Sequence, residues 1–234
     1  MNAWRSIDLR SGGIGVRPLW RSDAAAWREV RRRNPGWLQP WEATLPERDA
    51  SAPRSFRAMV RELHRQATAG RTLPLAIIVE GRFAGQITVS NIIGGSARYA
   101  QIGYWIDRAL AGRGITPVAV ALVIDYCFGS LDLHRIEIAI RPENTASLRV
   151  VEKLQIAQYG HAPSYLHIDG QWRDHRLFAI TKEECPGSAA PAEPLVVSGG
   201  PCGSSLHSRG CACPCRCRGR TSCSGLSDRP PLRP

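Results

Sequence analysis

The sequence predicts one α/β domain of the α+β type, a mixed and mostly antiparallel sheet flanked by about four helices, with a tail outside it. Three observations carry this. Leu75–Val79, Phe83–Ser90 and Arg98–Ile106 are strand-like runs joined by the short turns Glu80-Gly81-Arg82 and Gly94-Gly95, the pattern of an antiparallel meander. Thr116–Phe128 is apolar almost all round, which marks a buried helix. At 234 residues and 43% hydrophobic content, the chain is long enough for one sizeable core.

The elements follow in order. Ile14 to Leu19 reads as a first strand, and Ser22 and Asp23 offer oxygens to cap a helix over Ala24–Arg32. Asn34 to Trp41 holds two Pro and one Gly and is predicted as a loop folded back over something. A second helix spans Pro53–Ala69 and ends at Gly70. After the meander and the buried helix, His134–Arg141 alternates Ile136, Ile138 and Ile140 as a strand, and Asn144–Leu154 is a helix. Tyr159–Ile168 and Gln171–Thr181 make a last hairpin turning at Asp169-Gly170.

Residues 1–13 read as an N-terminal extension, 14–184 as the domain and 185–234 as a low-complexity tail. Of eight Cys, only Cys127 precedes residue 185. Cys211, Cys213, Cys215 and Cys217 stand one residue apart, too close for one loop to wrap a zinc ion, so no metal is expected. With its Gly, Pro, Ser and Arg, the tail reads as disordered. It holds six Arg against Glu193 and Asp228, about +4 of the net +11. A basic balance fits a phosphate-bearing ligand, nucleic acid or a ribosomal partner; no nucleic-acid motif is present, so such contact is expected only through a ribosome. No apolar run approaches the roughly 20 residues of a membrane span, and the N-terminus has no apolar signal core. A cytoplasmic protein, monomeric or dimeric and off the membrane, is the expectation.

Gly112-Arg113-Gly114 opens the buried helix after the strand ending at Ile106. Such a turn gathers backbone N–H groups at the positive end of a helix dipole, where a phosphate fits; a plain tight turn fits it too. The third glycine of a dinucleotide fingerprint and the Gly-Lys-Ser/Thr of a Walker loop are both missing. Further on, Asn144 stands where a helix N-cap belongs, or where an amide could meet a ligand laid between two parallel strand ends.

The landmarks Trp37-Leu38-Gln39-Pro40-Trp41-Glu42, Ile102-Gly103-Tyr104-Trp105, Gly112-Arg113-Gly114, His134-Arg135-Ile136-Glu137, Arg141 to Ser147 and Gly170 to His175 run in order over about 170 residues. In them the chain resembles the GNAT acetyltransferases, and within these the RimJ/RimL-like ribosomal-protein-alanine N-acetyltransferases. The resemblance implies a GNAT fold with a sheet splayed at its centre and acetyl-CoA as co-substrate. It implies that the amides of Gly112, Arg113, Gly114 and Thr116 wrap the pyrophosphate. Ala111 and Thr116 depart from the family pattern there, as does Gln155, where relatives usually carry Gly. The strand through Trp105 and Ile106 would pair with the pantetheine arm, Asn144 would touch the ligand, and Ser147 would be the acid of the Asn-x-x-Ser arrangement.

The base is open between Glu137, on an otherwise apolar strand, Glu42 on the Trp loop, His134 and His167. Glu42 could instead bind the cationic N-terminus of an acceptor. Trp37 and Trp41 either line the acceptor or plug the core edge. The acceptor expected is the N-terminal α-amine of a protein or peptide, a ribosomal protein among them. A small amine such as an aminoglycoside or polyamine is the alternative, and a non-catalytic acyl-CoA-binding paralogue a third.

Overall fold

The computed structural model describes residues 3–46 and 55–185. The predicted tail beyond Cys185 and the first residues of the second predicted helix lie outside them. Eight strands form one sheet in the order β1-β2-β3-β4-β5-β6-β8-β7. They are β1 (Leu9–Ser11), β2 (Ile14–Pro18), β3 (Leu73–Val79), β4 (Arg82–Ile93), β5 (Tyr99–Ile106), β6 (Arg135–Ile140), β7 (Ala157–Ile168) and β8 (Gln171–Thr181). Every neighbouring pair is antiparallel except β5 and β6. The helices are α1 (Ala24–Arg32), α2 (Pro35–Leu38), α3 (Phe56–Thr68), α4 (Ile115–Gly129) and α5 (Thr145–Lys153).

Two cores cover the two faces. On one, α4 and α5 join Val16 of β2 and Ile136 and Ile138 of β6 in a single core through Val120, Val123, Phe128 and Val151. On the other, α1 and α3 bury Ala24, Phe56 and Val60 against Leu19 and Ala76. α3 shows how sequence sets this: Ser55 Oγ accepts from Ala58 N at 3.2 Å, and Phe56, Val60 and Ala67 repeat at helical spacing on the buried side.

Three local expectations are corrected. Residues 3–11, read as an extension, are integrated: β1 pairs with β2, and Trp4 and Ile7 are buried in the main core. The Asn34–Trp41 loop contains helical turns, because Pro35 stands at a first helical position where its missing N–H costs nothing. Asp23 does not cap α1; its carboxylate accepts from Trp20 N at 2.7 Å and pairs with Arg17.

Candidate active site

β5 and β6 pair only from Tyr99 and Arg135 to Gln101 and Glu137. Yet β5 stays paired with β4 as far as Ile106, and β6 with β8 as far as Ile140. The two strands therefore part beyond Gln101 and Glu137, opening a wedge at the centre of the sheet. Asp107 N donates to Ala84 O at 2.8 Å. Alternation along the antiparallel ladder then turns the peptide groups of Ile102, Tyr104 and Ile106 away from β4, toward the wedge. Past the Ile102 N–H, which the last pairing of Gln101 with Glu137 still engages, the Ile102 carbonyl, the Tyr104 peptide groups and the Ile106 N–H face the gap without strand partners.

At the wide end stands the glycine turn. Gly112 and Gly114 have φ of 78° and 77°, left-handed values natural only to glycine. A Cβ on either would meet nothing within 4 Å, so the space beside the turn is open. Gly114 is the N-cap of α4, which leaves the amides of Ile115 and Thr116 without intrahelical acceptors, while Pro117 has no N–H. Arg113 is exposed beside them, Thr116 is buried, and departing Ala111 packs against the core. The turn has the conformation, free donors and charge that a pyrophosphate requires.

The N-terminus of α5 closes the same side. Asn144 Oδ1 accepts from Ser147 N at 3.1 Å, so Asn144 does cap the helix. Tyr104 reaches over from β5 and donates its hydroxyl to Ser147 O at 3.4 Å. Burial pushes the Tyr104 phenol well above its ordinary range, which keeps that proton in place. Ser147 is thus fixed at both ends of its backbone, half-buried beside the wedge.

The segment from Asn34 to Thr44 roofs the wide end. Asn34 Nδ2 donates to Asp107 Oδ1 at 2.9 Å and its Oδ1 accepts from Arg108 N at 3.2 Å; Arg33 ion-pairs with the same aspartate. Trp37 Nε1 donates to Ile106 O at 2.9 Å, and Arg141 donates to Pro40 O at 2.8 Å and lies 5.2 Å from the Trp41 ring. Ala43 then bridges to Ile168 at the tip of the β7–β8 hairpin. The loop runs from the end of β5, past the end of β6, to that hairpin.

Asp107 is the pin of this roof. Burial alone would raise its carboxyl, but hydrogen bonds from Arg33, Asn34 and the Ala109 amide hold it below the usual carboxylate range. Asp107→Ala should therefore cost about 2–3 kcal/mol at pH 7. Because the folded value is depressed, that contribution is present above the unfolded value near 3.9 and is lost as pH falls through the folded one. Urea unfolding of both proteins checks this: their difference should be full at pH 7 and shrink steadily below about pH 4.

The face of the wedge opposite α4 and α5 carries different groups. Pairing of Gln101 with Glu137, Glu137 with Ala179 and Gln86 with Trp105 sets these side chains on that face. Trp27 Nε1 of α1 donates to Gln86 Oε1 at 3.2 Å. The Arg31 guanidinium lies 4.7 Å from the Trp27 ring and 5.8 Å from Trp105, and ion-pairs with Glu42. Glu137, at the point of the wedge, is held by Arg135 at 2.7 Å. His134 and His167 face elsewhere, toward Glu183 and Thr44. One group stands in the Gly170 to His175 landmark without having been a candidate base: His175 on β8, 3% exposed, its ring set edge-on to Tyr165 at 5.8 Å. That landmark and the alternation Arg173, His175, Leu177 are the signals that point to it. Among the described residues, no three His, Cys, Asp or Glu gather as a metal site, and no helix is long and apolar enough to cross a bilayer.

A sheet splayed between two parallel strands, with an open left-handed glycine turn at the wide end and a roofed second face, is the architecture of a GNAT-type acyl-group transferase. The chain belongs to the GNAT acetyltransferase family: residues 14–156 match the model of the Acetyltransferase (GNAT) domain. It is an N-acetyltransferase, similar to the relatives of the RimJ/RimL type. It is 43% identical over 174 residues to the Bacillus subtilis protein named "Probable N-acetyltransferase YjcK", covering 74% of this chain and 96% of that one. It is 34% identical over 166 residues to the [Ribosomal protein uS5]-alanine N-acetyltransferase of Escherichia coli, covering 68% and 84%. Among solved structures, RimJ of Mycobacterium smegmatis in complex with CoA-disulfide superposes with a TM-score of 0.70 at 39% identity, covering 77% of this chain and 88% of that one.

Proposed function

We propose that this protein transfers the acetyl group of acetyl-CoA to the N-terminal α-amine of a protein, with a ribosomal protein as the acceptor. The observation that carries this is the wedge itself: peptide edges at Ile102, Tyr104 and Ile106 run toward the open left-handed turn at Gly112 and Gly114. An extended pantetheine arm pairs with such an edge as an added strand would, and the amides of Gly112, Arg113, Gly114 and Thr116 receive the pyrophosphate. The uS5-alanine acetyltransferase relative supports the acceptor class.

The residues divide the work by face. On the helix side, Ser147 offers a hydroxyl beside the wedge for the departing thiolate, and Asn144 fixes the helix that presents it. On the other side, Trp37, Trp41 and Glu42 line the acceptor entrance, with the Glu42 carboxylate held there by Arg31. Glu137 and Arg135 shape the closed end, and Trp105 and Ile106 lie along the arm toward the wide end. The test is calorimetry of the full chain with acetyl-CoA, then thiol release with Ala-initiated peptides against polyamines. Selective acetyl-CoA binding with turnover of the peptides is expected. A folded chain that does not bind acetyl-CoA overturns the reading, and turnover of polyamines alone overturns the acceptor.

A further inference from the structure

His175 Nδ1 lies 3.0 Å from Arg173 O. A carbonyl only accepts, so Nδ1 carries the proton and Nε2 keeps its lone pair. Nε2 has no partner among the described residues, and it is not among the polar atoms sealed away from solvent. This is a tautomer locked from behind with its basic nitrogen left over.

Its place matters as much. Ala139 pairs with Leu177 and Glu137 with Ala179, so His175, two residues before Leu177, stands on the same face as Gln101, Glu137 and Trp105. That is the face under the roof. Tyr165, against the His175 ring, accepts at its hydroxyl from Gln101 Nε2 at 3.3 Å, and Gln101 is the last residue of β5 paired with β6. Gln101, Tyr165 and His175 thus make a line along the acceptor side, from the point of the wedge toward the end of β6. Glu137 and Glu42 on this face are each engaged by a guanidinium; His175 is not.

We propose that His175 is the proton acceptor for the acceptor amine, an assignment that rests on the acetyl-transfer reading above. Nε2 takes one proton from the incoming ammonium. The freed lone pair forms the N–C bond at the thioester carbonyl, and the C–S bond breaks with its electron pair on sulfur. The second amine proton goes to the thiolate, and the imidazolium returns its proton to water. Amide, thiol and one proton result.

The charged and titratable groups around the ring are Arg141 at the end of β6, Glu143 beyond it, Asp174 and Arg173 on β8, and Tyr165 on β7. Burial pushes the imidazole below its ordinary value, Arg141 adds to this, and the Arg173 carbonyl, Asp174 and Glu143 oppose it. The ring is neutral, and ready to accept, at pH 7.

The test is kcat/KM for a peptide acceptor against pH, on the full chain, for the native protein, His175→Asn and Tyr165→Phe. The Asn amide can still donate to Arg173 O, which holds the strand. In the native protein the acid limb should fall below the ordinary imidazole value near 6.5, and Tyr165→Phe should keep it. In His175→Asn the rate at pH 7 should drop about 100-fold, and the limb should move toward the ionisation of the α-amine itself, near 8. Acetyl-CoA affinity should stay within about twofold, since the ring lies on the other face. His175→Asn keeping the native limb overturns the assignment, while acetyl-CoA binding leaves the transfer reading standing. Loss of acetyl-CoA binding by the folded native chain takes down both. If the Asn variant does not fold, nitrogen NMR of the native ring decides: a ring that titrates away from the acid limb overturns the assignment.

Discussion

Gly85→Ala should lower the melting temperature by about 10 °C, a large loss for one added methyl group. Gly85 lies in β4 opposite Ile106, and a Cβ there would stand 2.2 Å from Trp105 O and 2.9 Å from Ile106 Cα. Both are backbone atoms, so no rotamer change relieves the contact. The end of β5 must move off β4. That breaks the Asp107 N to Ala84 O bond at 2.8 Å and carries with it the Ile106 carbonyl that receives Trp37. Overpacking at about 1–3 kcal/mol and two hydrogen bonds at about 1 kcal/mol each put the loss at roughly 3–5 kcal/mol. Calorimetric melting checks it; a change under about 2 °C would mean that β5 yields freely at this point.

Gly85 also marks where sequence reading stops. The meander, the buried helix and the final hairpin were readable because each is a local pattern. Asp169 and Gly170, at φ 47° and 76°, make the tight turn their identities announce. The contacts that shape the wedge are of another kind. Asn34 meets Arg108 across 74 residues of chain, and nothing near either predicts the other. Gly85 reads as one more glycine in a strand until β5 is laid against it. His175 lies in an alternating run that any half-buried strand would show. Three residues of β1 carry too short a pattern to stand out, and Trp4 is buried only because that strand brings it back to the core. Gln155 is instructive in the other direction. It departs from the family at φ 55°, just past the end of α5, where glycine is favoured for its backbone freedom. The departure burdens a helix end and removes no group from the wedge.

Gly114→Val should weaken acetyl-CoA binding by about 100-fold, close to 2.7 kcal/mol, while lowering the melting temperature by only a few degrees. The two effects have separate causes. At φ 77° a β-branched residue carries about 1–2 kcal/mol of backbone strain, and that is the stability cost. No atom lies within 4 Å of the position a Cβ would take, so the fold itself has room for the side chain. The same room is what a pyrophosphate needs, and the valine methyls would stand in it, beside the free amides of Ile115 and Thr116. Gly12→Val supplies the control. Gly12 is also left-handed, at φ 56°, also with nothing within 4 Å, but it turns the chain between β1 and β2. It should show a comparable loss of stability and unchanged acetyl-CoA affinity by calorimetry. If both variants bind normally, the space beside Gly114 is only a gap and the cofactor lies elsewhere. If both lose binding, strain alone accounts for the effect. Only loss confined to Gly114 ties the open left-handed turn to the phosphates.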